Sequence, residues 1–331
     1  METRPFPRTP FSASVVGLGT WQLGADWGDV READALAVLE ASAEAGVTFY
    51  DTADVYGDGR SEQLVGRFVA AHPDAGFTVA TKMGRRTDQV PANYVEANFR
   101  QWLDRSRTNL GVDTIDLVQL HCPPSEVIDD DRTYDVLDRL VDDGVIAAYG
   151  VSVETCAQAL SAIARPHVAS IQIILNAFRM KPLDEVLPAA EAAGVGIIAR
   201  VPLASGLLSG KYDLDTTFAA DDHRTYNRDG SAFDVGETFS GVDYATGVEA
   251  AREFSALVTD AGLSDVTPAQ AALAWVVQQP GVTTVIPGAR NVSQAEANAA
   301  AGSVGELPSS FLEGVRELYD RRIREQVHGR W

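Results

Sequence analysis

The sequence predicts an α/β fold of the (β/α)8 TIM barrel type, with an N-terminal β-hairpin and a long loop before the last strand, over residues 1–331 as a single domain. Three observations predict it. Short apolar runs alternate along the chain with longer segments whose apolar residues recur at helical spacing, the pattern of βα units and a parallel sheet. The strand candidates number eight. No G-x-G-x-x-G turn follows the first of them, as a doubly wound dinucleotide-binding sheet would require.

The elements follow in order. After the hairpin the strand candidates are Val15–Leu18, Thr48–Tyr50, Thr78–Thr81, Ile115–Leu120, Ile146–Gly150, Ile171–Ile173, Gly196–Ala199 and Thr284–Ile286. Amphipathic segments lie between them, among them Arg31–Ala45, Pro91–Leu110, Tyr134–Asp142 and Asp184–Ala193, the last ending in an Ala-Gly C-cap pattern. Tyr212–Gly247 is polar, carries Gly and Asp, and has little periodicity. A connection of that length in a compact domain is read as a lid over the barrel mouth. Helical segments follow near Glu249–Ala261 and Pro268–Gln279, and Pro308–His328 reads as a charged amphipathic helix packed outside the barrel.

Composition narrows the function classes. With 45% hydrophobic and 22% charged residues, 28 Gly and 15 Pro, the chain is globular rather than disordered, collagenous or coiled-coil. No run approaches the roughly 20 apolar residues that span a bilayer, and the N-terminus has no apolar signal region, so a soluble, cytoplasmic protein without a membrane partner is expected. Cys122 and Cys156 are too few for a disulfide framework and have no metal-ligand spacing, so no metal is expected. The net charge of −20 repels a nucleic-acid backbone, which argues against a nucleic-acid partner. Only three of the 27 cations are lysines, and the acids favour Asp, a bias that high-salt adaptation or GC-rich coding would each produce.

Four polar residues stand at the C-terminal ends of strands, the face where barrels of this kind carry their chemistry. Asp51 ends TFYD, Tyr56 follows it in a turn, Lys82 ends FTVATK and His121 ends IDLVQLH. Singly, each has an ordinary reading: a turn cap, a rim aromatic, a surface cation, a core histidine. Together at neighbouring strand ends they point at one cavity. The chemistry that needs these types is proton transfer to a carbonyl oxygen while another group attacks the carbonyl carbon. A phenol has a pKa of about 10, so a nearby ammonium is expected to lower it. A carboxylate keeps that ammonium charged inside the barrel, and a histidine donates to the same oxygen.

These residues, in this order and spacing, resemble the aldo-keto reductase superfamily, as do GLGTWQLG, DTADVYGDGRSEQLVG, GVSV at 150–153, PLASGLLSGKY at 202–212 and IPGAR at 286–290. The resemblance covers nearly the whole chain. It implies an NAD(P)H-dependent oxidoreductase that interconverts aldehydes or ketones and alcohols, with NADP(H) ahead of NAD(H) and a small carbonyl or alcohol substrate as partner. In it Tyr56 is the general acid, Lys82 and Asp51 tune it, and His121 orients the carbonyl. The resemblance further implies cofactor contacts from Gly19, Thr20, Trp21 and Asp51, and from Ser152 and Gln172 to the carboxamide. It assigns the pyrophosphate loop to Pro202, Leu203, Ser205, Gly206, Leu207 and Lys211, and a phosphate site to Gly288, Arg290, Gln294 and Asn298. Arg290 is the expected ligand of an adenosine 2′-phosphate, with a surface salt bridge as the other reading.

Two departures carry expectations of their own. Val153 stands where the family often has Asn. Arg200 stands where an aromatic commonly stacks on the nicotinamide, and its charge is expected to disfavour the oxidised, cationic ring. Trp21 and Trp27 are candidate substrate-pocket walls beside Tyr56 and His121, although large aromatics also serve as core or rim packing. A second class on the same fold, a cofactor-binding regulatory subunit of potassium channels, stays open because such subunits can keep the four residues. The sequence leaves the oligomeric state and the physiological substrate open.

Overall fold

A computed structural model describes residues 1–24 and 30–331. Trp27 lies outside the described residues. The eight barrel strands are β3 (Leu18–Gly19), β4 (Phe49–Asp51), β5 (Thr78–Met83), β6 (Ile115–His121), β7 (Ile146–Ser152), β8 (Val168–Ile174), β9 (Gly196–Arg200) and β10 (Val282–Val285). All run parallel in sequence order from β3 to β10. Single bridges Val16↔Val285 and Gly19↔Gly288 bring β10 back to β3. The N-terminal hairpin pairs β1 (Thr3–Pro5) with β2 (Ser12–Ser14).

Inside the barrel, Phe49, Ala80, Leu117, Ala148, Ala169, Ile198 and Ile286 form one apolar cluster with Phe6 and Ala13. Phe6 reaches in from the hairpin, and a Cβ on Gly196, at the start of β9, would lie 2.2 Å from its ring. The hairpin therefore plugs the N-terminal end, and the C-terminal end is left for polar side chains. A second, larger apolar cluster joins the outer faces of the strands to the surrounding helices.

The element boundaries moved where caps and packing outweighed pattern. The first strand is shorter than expected: Val285 donates to the Val15 carbonyl and accepts from the Gly17 N–H, and pairing with β4 begins at Leu18. The last begins two residues earlier than expected. Pro91–Asn93 forms its own turn ahead of the helix Glu96–Leu110. Asp130 accepts from the Arg132 N–H, so the next helix starts at Asp131. The helix Val186–Ala193 ends as expected on Gly194 at φ 69°.

The long connection is not featureless. Asp222 caps a helical turn at His223–Tyr226, short turns form at Val235–Glu237 and Phe239–Gly241, and the next helix begins at Tyr244. Its second half is anchored to the barrel. Ser240 accepts from Asn176 at 2.8 Å, and Trp331 donates to Asp234 at 3.1 Å while the Arg179 guanidinium lies 3.9 Å from its ring centre. Residues 234–241 thus pack as a wall of the barrel mouth in this structure. The tail divides into Ser309–Leu318, a wider turn at Tyr319–Ile323 and Arg324–Val327, and Phe311 packs on Phe254 outside the barrel.

Candidate active site

Parallel register carries the polar residues to one level of the barrel. His121 is paired with Ser152, Ser152 with Gln172, and Lys82 with Gln119. Asp51, His121, Ser152 and Arg200 each end their strands. Tyr56 comes from the turn after β4, and its position depends on Gly57. That residue has φ 58°, and a Cβ there would lie 1.9 Å from the carbonyl oxygen of Gly24. Only glycine allows the two backbones so close, and the contact brings Tyr56 against Trp21, with stacked rings 5.9 Å apart.

Beneath Tyr56 lies a sealed ion pair. Lys82 Nζ donates to Asp51 Oδ1 at 2.5 Å, to the Thr52 carbonyl at 2.9 Å and to Tyr56 Oη at 3.4 Å. Lys82 and Asp51 side chains are only 1% and 3% exposed. The other oxygen of Asp51 accepts from Gln172 at 2.8 Å and Gln119 at 3.2 Å. Every polar atom of the pair has a partner, which is the condition for burying charge without a large penalty. Burial pulls the Lys82 ammonium down, but Asp51 and Tyr56 outweigh it and hold its pKa above the ordinary lysine value.

The phenol behaves otherwise than expected. Burial pushes Tyr56 above its ordinary pKa, and the Lys82 charge opposes this without cancelling it. The reason is geometric: the ammonium sits closer to Asp51 than to the phenol, so much of its field is already answered. Tyr56 therefore holds its proton firmly. His121 stands edge-on to the Tyr56 ring at 6.0 Å. Its burial, helped by Arg85, Lys82 and Arg200, drops its pKa well below the ordinary value, so the imidazole is neutral. Nδ1 is buried without a hydrogen-bond partner, while Nε2 is not among the sealed atoms. The neutral tautomer with its hydrogen on Nε2 offers a donor to the cavity.

The cavity has a volume of about 980 Å³. It brings together Gly19, Thr20, Trp21, Asp51, Tyr56, His121, Ser152, Gln172, Arg200, Pro202, Leu203, Ser205, Gly206, Lys211, Gly288, Arg290, Gln294 and Asn298. Lys82 sits below its floor. Leu207 does not line it: that side chain is fully buried in the core beneath the loop. Ser205 lines it, but its hydroxyl is committed to the Glu237 carbonyl and the Phe239 N–H. The loop passes through the left-handed region at Val201, Ala204, Ser205 and Gly206, with φ of 52°, 48°, 55° and 95°. Such a run costs on the order of 1 kcal/mol or more per non-glycine residue and marks a backbone shaped for a purpose. At the far wall Asn291 caps the helix Val292–Ala300, Arg290 is exposed beside it, and its N–H donates to Gln294.

Arg200 is not a free charge over the cavity. It is buried, bridges Glu154 at 3.2 Å and Glu237, and donates to the Val153 carbonyl at 3.1 Å. Its charge is answered by the two carboxylates, which removes the ground for expecting it to sense the charge of a stacked ring. Cys122, Glu154 and Glu237 have ligand atoms within 4.8 Å of one another, yet the guanidinium of Arg200 already bridges both carboxylates. Burial pushes the Cys122 thiol up to about 12.

Sequence reasoning missed Arg85, Glu154, Glu237 and Phe233. Arg85 was within reach of the strand-end rule, three residues past Lys82. Glu237 and Phe233 come from the long connection, where no periodicity announces which side chain turns inward.

Comparison with known proteins shows the family and the fold. The family model described as Aldo/keto reductase family matches residues 15–320. An uncharacterised oxidoreductase of Mycobacterium tuberculosis is 33% identical over 325 residues, covering 96% of this chain and 93% of its own. The glycerol dehydrogenase AKR11B4 of Gluconobacter oxydans superposes with a TM-score of 0.77 at 29% identity, covering 97% and 96% of the two chains. A Klebsiella pneumoniae aldo-keto reductase solved with NADPH shares the fold, with a TM-score of 0.69 at 23% identity over 93% and 92%.

Proposed function

The chain belongs to the aldo/keto reductase family, and from that premise we propose that it reduces aldehydes or ketones to alcohols, and runs the reverse, with NADP(H) in preference to NAD(H). The observation that carries this reading is the stack of Asp51, Lys82 and Tyr56 under one cavity wall, with a neutral His121 facing the same space.

The residues present fit a nicotinamide dinucleotide. The cavity takes in Asp51, Tyr56 and His121 together with Gly288, Arg290, Gln294 and Asn298, and its size is at the upper end of ordinary ligand pockets. Gln172 spends its amide hydrogens on Asp51 and Gln119, leaving its oxygen to accept from a carboxamide, with Ser152 beside it. Arg290, next to the capped N-terminus of Val292–Ala300, suits a phosphate. When bound, the reduced nicotinamide supplies hydride to the carbonyl carbon.

The protein's own part is the proton. His121 Nε2 and the Tyr56 hydroxyl both donate to the carbonyl oxygen, which sets the geometry. As negative charge grows on that oxygen, the Tyr56 proton moves to it, and the phenolate left behind is stabilised by the Lys82 ammonium. Tyr56→Phe keeps the ring against Trp21 and removes only the proton. Turnover of aldehydes should fall by about 10²–10⁴-fold, with NADPH affinity by fluorescence titration unchanged. Full turnover in that variant would refute the assignment.

A further inference from the structure

The proton-transfer scheme leaves one cation at the reacting end unused. Arg85 lies just past the end of β5 and lines the cavity with Tyr56 and His121. Its side chain is 22% exposed. Nε donates to the His121 carbonyl at 3.3 Å and Nη2 to Glu154 at 3.2 Å. Among the described residues Nη1 has no protein partner, and it is not one of the sealed polar atoms. Two nitrogens thus hold the guanidinium in place at the cavity wall, and the third is left without a protein partner among the described residues.

The surrounding charge does not forbid an anion there. Arg85, Arg179 and Arg200 face Glu154, Glu237 and Asp234 in one cluster. The signs balance, so one incoming carboxylate meets no surplus of negative charge locally. Trp21 and Phe233, 5.8 Å apart, give the same space an apolar wall for a short carbon chain. A neutral carbonyl compound would leave Nη1 to water alone, whereas a carboxylate would meet a positioned, charge-assisted donor.

We propose that Arg85 selects the substrate by binding a carboxylate through Nη1, so that the preferred substrates are oxo acids and acid semialdehydes and the products are hydroxy acids. This rests on the carbonyl-reduction reading above. The reaction that supplies such a substrate would be one that leaves an aldehyde or ketone on a carboxylic acid, such as transfer or removal of an amino group from an amino acid.

The test compares a series of aldehydes carrying a terminal carboxylate, over several chain lengths, with their methyl esters, using NADPH. At the best length the acid should exceed its ester in kcat/KM by about 10- to 100-fold, and Arg85→Gln should bring that ratio towards one by lowering acid turnover far more than ester turnover. Arg85→Lys should keep part of it. Independently of turnover, calorimetric titration of the protein with 4-hydroxybutanoate should show binding that Arg85→Gln weakens by about tenfold or more. Acid-to-ester ratios near one at every length would overturn the proposal, and they do so on the unmodified protein even if the variant fails to fold. Equal loss for acid and ester in Arg85→Gln would also overturn it, pointing to support of His121 instead. Failure of every aldehyde, esters included, would sink the carbonyl-reduction reading itself, which an acid-to-ester ratio near one leaves standing.

Discussion

Asp54 lies in the turn between Asp51 and Tyr56, fully buried, with neither carboxylate oxygen hydrogen-bonded. Burial and the nearby Glu62 push its pKa from 3.8 to about 7, against the pull of Arg86 and Arg105. In the folded protein the proton is retained across a range where the unfolded chain has lost it. The stability this group contributes is therefore complete below about pH 4 and is lost as pH rises through about 7. At ~1.36 kcal/mol per pH unit, the loss amounts to about 4 kcal/mol once the group is ionised. Asp54→Asn keeps the shape and cannot ionise. Thermal and urea unfolding of both proteins near pH 5 and near pH 8 would measure the difference. The variant's advantage should grow by about 3 kcal/mol between the two, which for a chain of this size is on the order of 5 °C in Tm. An advantage that stays constant with pH, or a variant that is less stable by the same amount at both, would refute the reasoning, since it would mean that Asp54 does not titrate between those values.

Arg290→Ala should weaken NADPH by roughly 10- to 100-fold and NADH far less, because a guanidinium–phosphate contact is lost in one case only; equal weakening of both by titration would exclude that contact. Arg200→Tyr should leave the ratio of NADPH to NADP+ affinities unchanged, since Glu154 and Glu237 already answer the Arg200 charge, and should instead lower Tm by orphaning those carboxylates. A changed ratio with an unchanged Tm would show that the charge reaches the ring after all. With a net charge of −20, the melting temperature should rise by several degrees between low and molar salt as self-repulsion is screened. A flat response would reject salt adaptation.

The barrel was legible because its signal is local and repeated. Apolar runs such as FTVATK and IDLVQLH need only their own residues to declare buried strands, and a parallel order follows from the helical segments between them. That Asp51, Lys82 and His121 share one end of the barrel was legible for the same reason: the end of a strand fixes which face of the barrel a residue serves. A boundary set by a single cap, as at Asp130, was not, because it depends on one atom meeting another. Nor could the sequence show that Ser205 gives its hydroxyl to residues 237–239, or that Leu207 turns into the core.

By itself, then, the sequence determined the strand order, the level at which Asp51, Lys82 and His121 emerge, and the acidic surface. Only the tertiary structure decided the electrical state of the site. A pKa depends on the distances between groups far apart in the chain and on how much water each one sees. Burial pushes the Tyr56 phenol above its ordinary pKa, and Lys82, bonded more closely to Asp51 than to Tyr56, only partly opposes it. Glu237, brought back across the barrel mouth by the long connection, pairs with Arg200, while Arg85 lines the cavity held by Glu154 and the His121 carbonyl.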